Sequence, residues 1–401
     1  MSLTVLFDLD DTLLGNDMQT FSSAYFQLLS DHLSPYIPPQ IMIKELLSAT
    51  RKMIAKRMPA LTLEQTFSDA FYPALGFQQA DLAEVLADFY ERVFPRLGNL
   101  TQPRPDAVRL VKWAIDQGWT VVVATNPLFP RRAIEHRLQW AGLPVSSTPF
   151  SLVTSIEGMH FAKPSEAYYA EILGQLGFPE QPAVMIGNSL SDDILPAARL
   201  GLPSFWLGGD SELPQGLPPH SRKGRMEDIA DWLEDMSAHA SPLAFQGYPA
   251  ILGILGATPA ALESITKGVS NDAWTVRPEA QEWSLVEILA HLRDVDLEVN
   301  LPRMNQLLNQ DQPFFAGVDA DAWASERNYR QTNIHTIMGE VMSARMSLLE
   351  LIQPDSEQIW NRPARHAIFG PTTLGELASF IAHHDVLHIH QVKKSLHAIG
   401  I

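Results

Sequence analysis

The sequence predicts an α/β domain with a parallel sheet and a helical insertion, followed by an all-α four-helix bundle. Nearly continuous apolar runs at 3–7, 119–124 and 183–186 end in polar residues, as strands buried on both faces of a parallel sheet do. About 110 residues separate the first two runs, far more than one crossover helix requires. After residue 247 the strand-like runs disappear and apolar residues follow helical spacing.

Two carboxylates follow the first predicted strand. Asp8 and Asp10 lie where the carboxyl end of that strand meets the edge at which open α/β sheets bind ligands. Asp8 can attack phosphorus as a carboxylate nucleophile, and Asp10 can protonate the leaving oxygen and later activate water. Two close acids also form a natural Mg²⁺ site. The pattern therefore indicates phosphoryl transfer.

Three later segments follow Asp8 to Thr12 (Asp-Leu-Asp-Asp-Thr) in order along the chain. The second strand ends in Thr125, Lys163 lies in Phe-Ala-Lys-Pro, and the third strand runs into residues 187–194 (Gly-Asn-Ser-Leu-Ser-Asp-Asp-Ile). Together these four segments resemble the motifs of the haloacid dehalogenase-like (HAD) hydrolase superfamily. The resemblance implies a Rossmann-like parallel-sheet core that hydrolyses a phosphomonoester through an aspartyl-phosphate.

The resemblance also implies a role for each site residue. Asp8 is the nucleophile and Asp10 the acid/base, while Thr125, Asn126 and Lys163 hold the phosphoryl group. The expected Mg²⁺ ligands are Asp8, the backbone carbonyl of Asp10, Asn188 and Asp193.

Asn188 departs from the family pattern, which usually has an acid at this position or at Ser189. Asn188 can still offer a carbonyl oxygen, and Asp192 or Asp193 can supply the charge, because Mg²⁺ accepts few protein ligands and keeps waters. Two alternatives stay open. One is a degenerate site that binds phosphate without turnover. The other is a dehalogenase, which needs no metal and no acid two residues after the nucleophile, and is disfavoured because Asp10 is present.

Helical spacing fills the insertion, at 17–34, 38–58, 63–73 and 79–95. It resembles the superfamily's helical cap, here about residues 15–100, and such caps exclude water and select the leaving group. A basic cluster in the cap could contact an anionic substrate, although a solvated helix face is the favoured interpretation. This cluster comprises Arg51, Lys52, Lys56 and Arg57.

The predicted domain boundaries follow from these patterns. A strand at 202–207 and a helix at 226–236 close the first domain, which spans 1–236. Residues 237–246 form a linker, and 247–401 form the bundle. Its helices are predicted at 247–268, 284–309, 333–353 and 373–398, and two of them begin with capping boxes. The capping pairs are Ser284 with Glu287 and Thr373 with Glu376.

Histidines carry the chemistry of the predicted bundle. His384 and His388 continue an apolar stripe on the last helix, and His291 occupies a similar position on the second. Three histidines from two helices can bind one metal ion and leave open positions, although buried histidines can also serve only as hydrogen-bonded core residues. Imidazole ligands suit Zn²⁺, Ni²⁺, Cu²⁺ and Fe²⁺ alike. Three further histidines fall off the stripe and are predicted at the surface: His383, His390 and His397.

Segments 282–294, 369–377 and 384–391 resemble the DinB-like four-helix-bundle superfamily. The resemblance covers most of 247–401 and implies a three-histidine site for Zn²⁺, Ni²⁺ or a related divalent ion. It also implies activities such as thiol-dependent S-transfer and isomerisation, although the fold alone does not define the reaction.

Composition narrows the functional classes. The 401 residues are 46% hydrophobic and 19% charged, with a formal net charge of −17, which argues against a nucleic-acid surface. Stretches of roughly 18 apolar residues, which a membrane span requires, are absent, and the N-terminus lacks the pattern of a signal peptide. Zero cysteines rule out disulfides, thiolate metal ligands and a cysteine nucleophile. A cytoplasmic enzyme fits best.

The sequence therefore predicts a Mg²⁺-dependent hydrolase of a small phosphorylated metabolite, fused to a divalent-metal-binding bundle. In one alternative the bundle is the main catalyst, as a metal-dependent thiol S-transferase or isomerase. In another, both halves sense small molecules without turnover. The oligomeric state stays open, a homodimer being one alternative.

Overall fold

The computed structural model describes residues 2–209, 211–352 and 357–401. The chain divides into two compact units. The first comprises the described residues up to Arg57, with Leu61–Tyr168 and Glu180–Ala244. The second comprises Met58–Ala60, Tyr169–Pro179 and the described residues of Phe245–Ile401.

A parallel sheet forms the core of the first unit. Within the described residues it has six strands. In spatial order they are Leu152–Val153, Thr120–Val123, Thr4–Phe7, Ala183–Gly187, Ser204–Trp206 and Arg222–Lys223. Phe7 aligns with Val123 on one side and with Ile186 on the other. The residues that follow these three central strands therefore meet at one edge of the sheet, as the α/β prediction requires.

Helices cover this sheet: Pro105–Asp116, Arg131–Trp140, Leu195–Arg199 and Ile229–His239. A further helix, Glu166–Gln175, has residues in both units. Val5, Phe7 and Trp232 are fully buried in the apolar core between the sheet and its helices. The last helix of the unit ends at His239 rather than at the predicted residue 236.

The predicted insertion is helical. Its helices are Met18–Leu33, Pro39–Ala55, Leu63–Leu75 and Gln79–Asp88, and the last continues through turns at Phe89–Val93 and Phe94–Leu100. They enclose a separate apolar core rich in aromatic rings, among them Phe21, Tyr25, Phe89 and Phe94. Leu14–Gly15 pairs antiparallel with Gln102–Pro103, so the chain leaves and re-enters the α/β core at one two-stranded neck.

Long helices form the second unit: Tyr248–Thr266, Leu285–Val295, Leu301–Asn309, Ile337–Ile352 and Leu374–Ala398. A π-helical turn, Asp296–Asn300, joins the second and third of these into one continuous element, as predicted for 284–309. Both predicted capping boxes are confirmed. The predicted end of one helix, residue 353, lies outside the described residues.

A small sheet accompanies these helices and was not predicted. Where the structure describes this unit, the sheet has three strands, Phe314–Phe315, Pro363–His366 and Gly370–Thr373. Each strand has at most four residues, and proline or glycine begins two of them. Such short segments lack the alternating apolar pattern by which strands are recognised in a sequence.

One buried arginine joins elements from all four long helical segments of this unit. The Arg345 guanidinium donates to Asp296 Oδ2 at 2.8 Å, to Asp385 Oδ1 at 3.0 Å and to the Leu255 carbonyl at 3.1 Å. Asp385 also accepts a hydrogen bond from the Thr258 hydroxyl, at 2.9 Å. Burial raises the pKa of Asp296, and Arg345 opposes that shift.

The expectation that no segment is apolar enough for a membrane span is corrected at one helix. Among the described residues, Tyr248–Thr266 is long and apolar enough to cross a bilayer by length and composition alone. However, 72% of its most apolar window is buried inside the protein. That burial is typical of a core helix in a bundle.

Candidate functional site

The predicted phosphoryl-transfer residues line one cavity of about 240 Å³. Asp8, Thr125 and Asn188 each come shortly after a central strand, so the parallel sheet brings them to the same edge. The complete predicted set found around this cavity is Asp8, Asp10, Thr125, Asn126, Lys163, Asn188 and Asp193.

Lys163 lies between two carboxylates. Its Nζ is 2.8 Å from Asp8 Oδ1 and 2.6 Å from Asp193 Oδ1, and all three side chains are buried. Charge-assisted hydrogen bonds of this kind are short and directional. The ammonium therefore orients the Asp8 carboxylate and offsets negative charge beside it.

Asp193 is held against the backbone at the end of the strand Ala183–Gly187 and just after it. The Ser189 N–H donates to its Oδ2 at 2.9 Å. A Cβ on Gly187 would lie only 2.3 Å from the same oxygen, so this position requires glycine. Burial, reinforced by the charge of Asp8 and opposed by Lys163, raises the pKa of Asp193 to about 7.

The loop after the second strand presents Thr125 and Asn126 to the cavity. The Thr125 carbonyl accepts hydrogen bonds from the Tyr168 hydroxyl at 2.7 Å and from the Thr154 hydroxyl at 2.8 Å, which fixes the loop. Asn126 Oδ1 is buried without a hydrogen-bond partner among the described residues. An unsatisfied buried polar atom at such a site is consistent with a bound polar group.

Arg137 also belongs to this site, and sequence reasoning missed it. It is 1% exposed, lines the cavity and forms an ion pair with Asp10, whose Oδ1 accepts a hydrogen bond from Asn16 at 2.7 Å. Burial lowers the pKa of Arg137 to about 10, which still leaves the guanidinium protonated at neutral pH. The sequence does give one sign that this side chain is buried, which is its position on an apolar helical stripe with Ile134 and Leu138.

The residues around the cavity fit a hard divalent cation. The Asp8 and Asp193 carboxylates, the Asn188 side chain and the Asp10 segment lie at one sheet edge, and oxygen ligands of this kind suit Mg²⁺. Asp192 lines the same cavity and is a further source of negative charge.

In the second unit, the three predicted histidines converge. His384 Nε2 is 3.0 Å from His291 Nε2 and 3.1 Å from His388 Nε2. Each residue offers one ligand nitrogen, and these atoms lie within 4.8 Å of one another. The off-stripe residues His383, His390 and His397 are exposed, as predicted.

These histidines fit a metal ion chemically. Burial, together with the neighbouring histidines, lowers the pKa of His291 and of His384 to about 3, and burial lowers the pKa of His388. Neutral imidazole is the form that coordinates metals. His388 Nδ1 lies 2.9 Å from Gln391 Oε1, and donation from Nδ1 leaves the Nε2 lone pair directed at the other two histidines.

A cavity of about 320 Å³ opens beside this cluster. His291 and His384 line it, together with Arg303, His366 and Phe380. A ligand in this cavity would therefore lie against two of the three histidines. Catalytic metal sites, unlike purely structural ones, keep a position open to such a ligand.

Comparisons with known proteins give a family match for each half of the chain. Residues 3–201 match the model of the haloacid dehalogenase-like hydrolase family, and residues 254–392 match that of the DinB superfamily. The uncharacterized protein YuaE of Bacillus subtilis (strain 168) is 24% identical over 139 residues, which are 32% of this chain and 86% of YuaE.

Solved structures resemble each half at low identity. A HAD phosphatase from Thermococcus onnurineus is 19% identical, with a TM-score of 0.39, covering 58% of this chain and 98% of its own. A 2-haloacid dehalogenase from Pseudomonas syringae is 19% identical, with a TM-score of 0.41 and coverage of 59% and 99%. The four-helix-bundle protein YfiT from Bacillus subtilis is 13% identical, with a TM-score of 0.34 and coverage of 48% and 95%. The family matches confirm both predicted resemblances: the N-terminal half carries a haloacid dehalogenase-like hydrolase domain, and the C-terminal half carries a domain of the DinB superfamily.

Proposed function

We propose that the N-terminal domain hydrolyses a small phosphorylated metabolite, a phosphomonoester of the cytoplasm, through an aspartyl-phosphate on Asp8. The observation that carries this proposal is the Asp8 carboxylate, oriented by Lys163 at 2.8 Å in the cavity that Thr125 and Asn126 also line. A fixed, buried carboxylate beside a cation is suited to attack on a phosphoryl group.

Each residue has a defined part in this reaction. Asp8 attacks phosphorus and the bond to the leaving oxygen breaks, while Asp10 in its acid form gives that oxygen a proton. Asp10 then takes a proton from the water that attacks the aspartyl-phosphate, which releases inorganic phosphate. Arg137 and Asn16 hold the Asp10 carboxyl group in place. Mg²⁺, held by Asp8, the Asp10 carbonyl, Asn188 and Asp193, would offset phosphate charge.

A panel of phosphomonoesters, assayed for phosphate release with and without Mg²⁺, tests this function. We expect turnover that depends on the ion. Chloride release from 2-chloropropionate in the presence of chelator, without phosphate release from any ester, would instead identify a dehalogenase.

Replacing Asn188 by aspartate should strengthen the Mg²⁺ site, because Mg²⁺ prefers charged oxygen ligands. For Asn188→Asp we expect a lower Mg²⁺ concentration at half-maximal activity, by roughly tenfold to a hundredfold, the size of one charged interaction. Repulsion from Asp192 and Asp193 would reduce the gain. A Mg²⁺ titration of both proteins on one substrate measures it. An unchanged or higher requirement would place Asn188 outside the metal shell.

The bundle supports a second function, a metal-dependent reaction such as thiol S-transfer or isomerisation. The observation that favours it is the convergence of three histidine nitrogens beside an open cavity. Zn²⁺ and Ni²⁺ both suit this donor set. Thiol-transfer assays on metal-loaded protein, compared with metal-stripped protein, test this second function.

Removal of one histidine should release the bundle's metal. We expect wild-type protein to bind one Zn²⁺ or Ni²⁺ per chain and His384→Ala to lose it, with phosphatase activity unchanged. Elemental analysis after gel filtration measures occupancy. His383→Ala is the matched control, because His383 is adjacent but exposed. Full occupancy in a His291→Ala, His384→Ala double variant would contradict the three-histidine site.

A further inference from the structure

A second cavity in the first unit adjoins the phosphoryl-transfer cavity. Its volume is about 280 Å³, and it lies among the helices of the insertion. Met18, Leu128 and Phe129 line both cavities. The two cavities are therefore direct neighbours that share these three side chains.

The walls of this cap cavity are mostly apolar. Phe26, Phe67 and Phe71 contribute aromatic rings, and Leu29 and Leu46 contribute aliphatic surface. Tyr25 and Tyr90 also line it, and their hydroxyl groups hydrogen-bond each other at 2.9 Å. The other uncharged polar residues of the lining are Ser22, Thr50, Ser68, Tyr72 and Gln79. The cavity therefore favours binding of apolar ligand groups over groups that need hydrogen bonds.

The charged residues that line the cap cavity are acidic. Its lining within the described residues includes Glu64 and Glu157 but no lysine, arginine or histidine. Both oxygens of Glu157 accept the Arg131 backbone N–H, at 2.9 and 3.0 Å. A second anionic group on the substrate would therefore meet two carboxylates and no basic side chain in this lining.

The basic cluster of the cap does not add positive charge to the lining of the cap cavity. Arg51, Lys52 and Arg57 are exposed, and Lys56 Nζ donates to the His160 carbonyl at 3.1 Å. None of the four lines the cap cavity. For Arg51, Lys52 and Arg57 the structure thus favours the solvated-face interpretation, whereas Lys56 is half-buried.

We propose that the cap cavity binds the leaving group, and that the substrate is a phosphomonoester of an uncharged, predominantly apolar alcohol or phenol. This proposal rests on the phosphatase function proposed above. Each methylene group transferred from water into an apolar site should raise kcat/KM about threefold to fourfold until the cavity is filled.

A homologous series tests the substrate class. Ethyl, butyl, hexyl and octyl phosphate and phenyl phosphate are compared with glycerol 3-phosphate and glucose 6-phosphate, using the full chain with Mg²⁺. We expect kcat/KM to rise along the alkyl series and to be higher for phenyl phosphate than for either polar ester. A flat series, or a preference for the polar esters, would overturn the proposal.

A pair of variants on one helix locates the effect. Ser22 lines the cap cavity, whereas its neighbour Ser23 is exposed. Ser22→Trp should fill the cavity and reduce the preference for octyl over ethyl phosphate at least tenfold, while Ser23→Trp should keep that preference. Equal preferences in both variants would show that the alkyl chain binds elsewhere.

Binding without turnover separates this proposal from the phosphatase function. Calorimetric titration with ethyl-, butyl- and octylphosphonate, which the enzyme cannot hydrolyse, should give affinities that rise with chain length in wild type but not in Ser22→Trp. If no ester is hydrolysed yet this pattern is found, the phosphatase function fails and the apolar cavity stands. If esters are hydrolysed without any dependence on chain length in rate or binding, the cavity proposal fails alone.

Discussion

Asp8→Asn should abolish phosphate release while leaving the fold intact. An amide cannot act as the nucleophile, and loss of a catalytic nucleophile costs roughly 10⁴-fold or more in kcat. Asp10→Asn should lose less, on the order of 10² to 10⁴-fold, because it removes only general acid/base catalysis. Steady-state phosphate release measures both losses, and circular dichroism checks the fold.

Asp31→Asn is the matched control, since it makes the same chemical change at an exposed aspartate on the first cap helix. It should retain wild-type activity. Acid quenching followed by peptide mapping should find a phosphorylated Asp8 peptide in wild type and not in Asp8→Asn. Activity near wild type in Asp8→Asn would refute the aspartyl-phosphate, and equal activity in all the proteins would indicate a contaminating phosphatase.

Arg345→Leu should destabilise the bundle by about 3–5 kcal/mol, the usual cost of removing one partner from a buried ion pair. The variant leaves Asp296 and Asp385 buried without their cation. Burial already raises the pKa of Asp296 above its ordinary value. In the variant this residue should hold a proton in the folded state that the unfolded chain releases, so the loss should be larger at pH 7 than at pH 5.

Urea denaturation of the full chain, followed by circular dichroism and by metal release, measures this loss. Arg365→Leu removes an exposed arginine from the same unit and should change stability by less than about 0.5 kcal/mol. Arg345→Leu combined with Asp296→Leu and Asp385→Leu should recover much of the loss, because an apolar set can replace a buried ion network. An unfolding midpoint for Arg345→Leu equal to that of wild type would show that the network contributes nothing.

The position of the candidate phosphoryl-transfer site was predictable from the sequence because parallel strands impose a simple rule. Asp8, Thr125 and Asn188 each follow an apolar run, and the carboxyl ends of neighbouring strands must lie at one edge. The histidine cluster was predictable for a similar reason. Helical spacing places His384 and His388 on one face, and the apolar neighbours of His291 orient it inward.

Arg137 was not predictable by the same reasoning. A charged residue on an apolar stripe is usually assigned to the helix surface, because arginine is seldom fully buried without a partner. Its partner here is Asp10, more than a hundred residues earlier in the chain. Helical periodicity carries no information about such a distant ion pair.

The cap cavity also could not be predicted from the sequence. The sequence shows apolar and basic positions on the cap helices, but not which side chains surround a space. The basic cluster is the clearest pattern there, and it lies outside the cavity. The small sheet in the second unit escaped prediction because its strands are too short to show a pattern. In addition, Phe314–Phe315 pairs with a strand about fifty residues later in the chain.

The two-stranded neck that Leu14–Gly15 and Gln102–Pro103 form has an evolutionary consequence. Both ends of the insertion are already paired, so the length of chain between them can change at little cost in loop-closure entropy. Natural selection can then lengthen, shorten or replace the segment while Asp8, Lys163 and Asp193 keep their positions. Lineages that share these three residues can thereby differ in the helices that border the cavity.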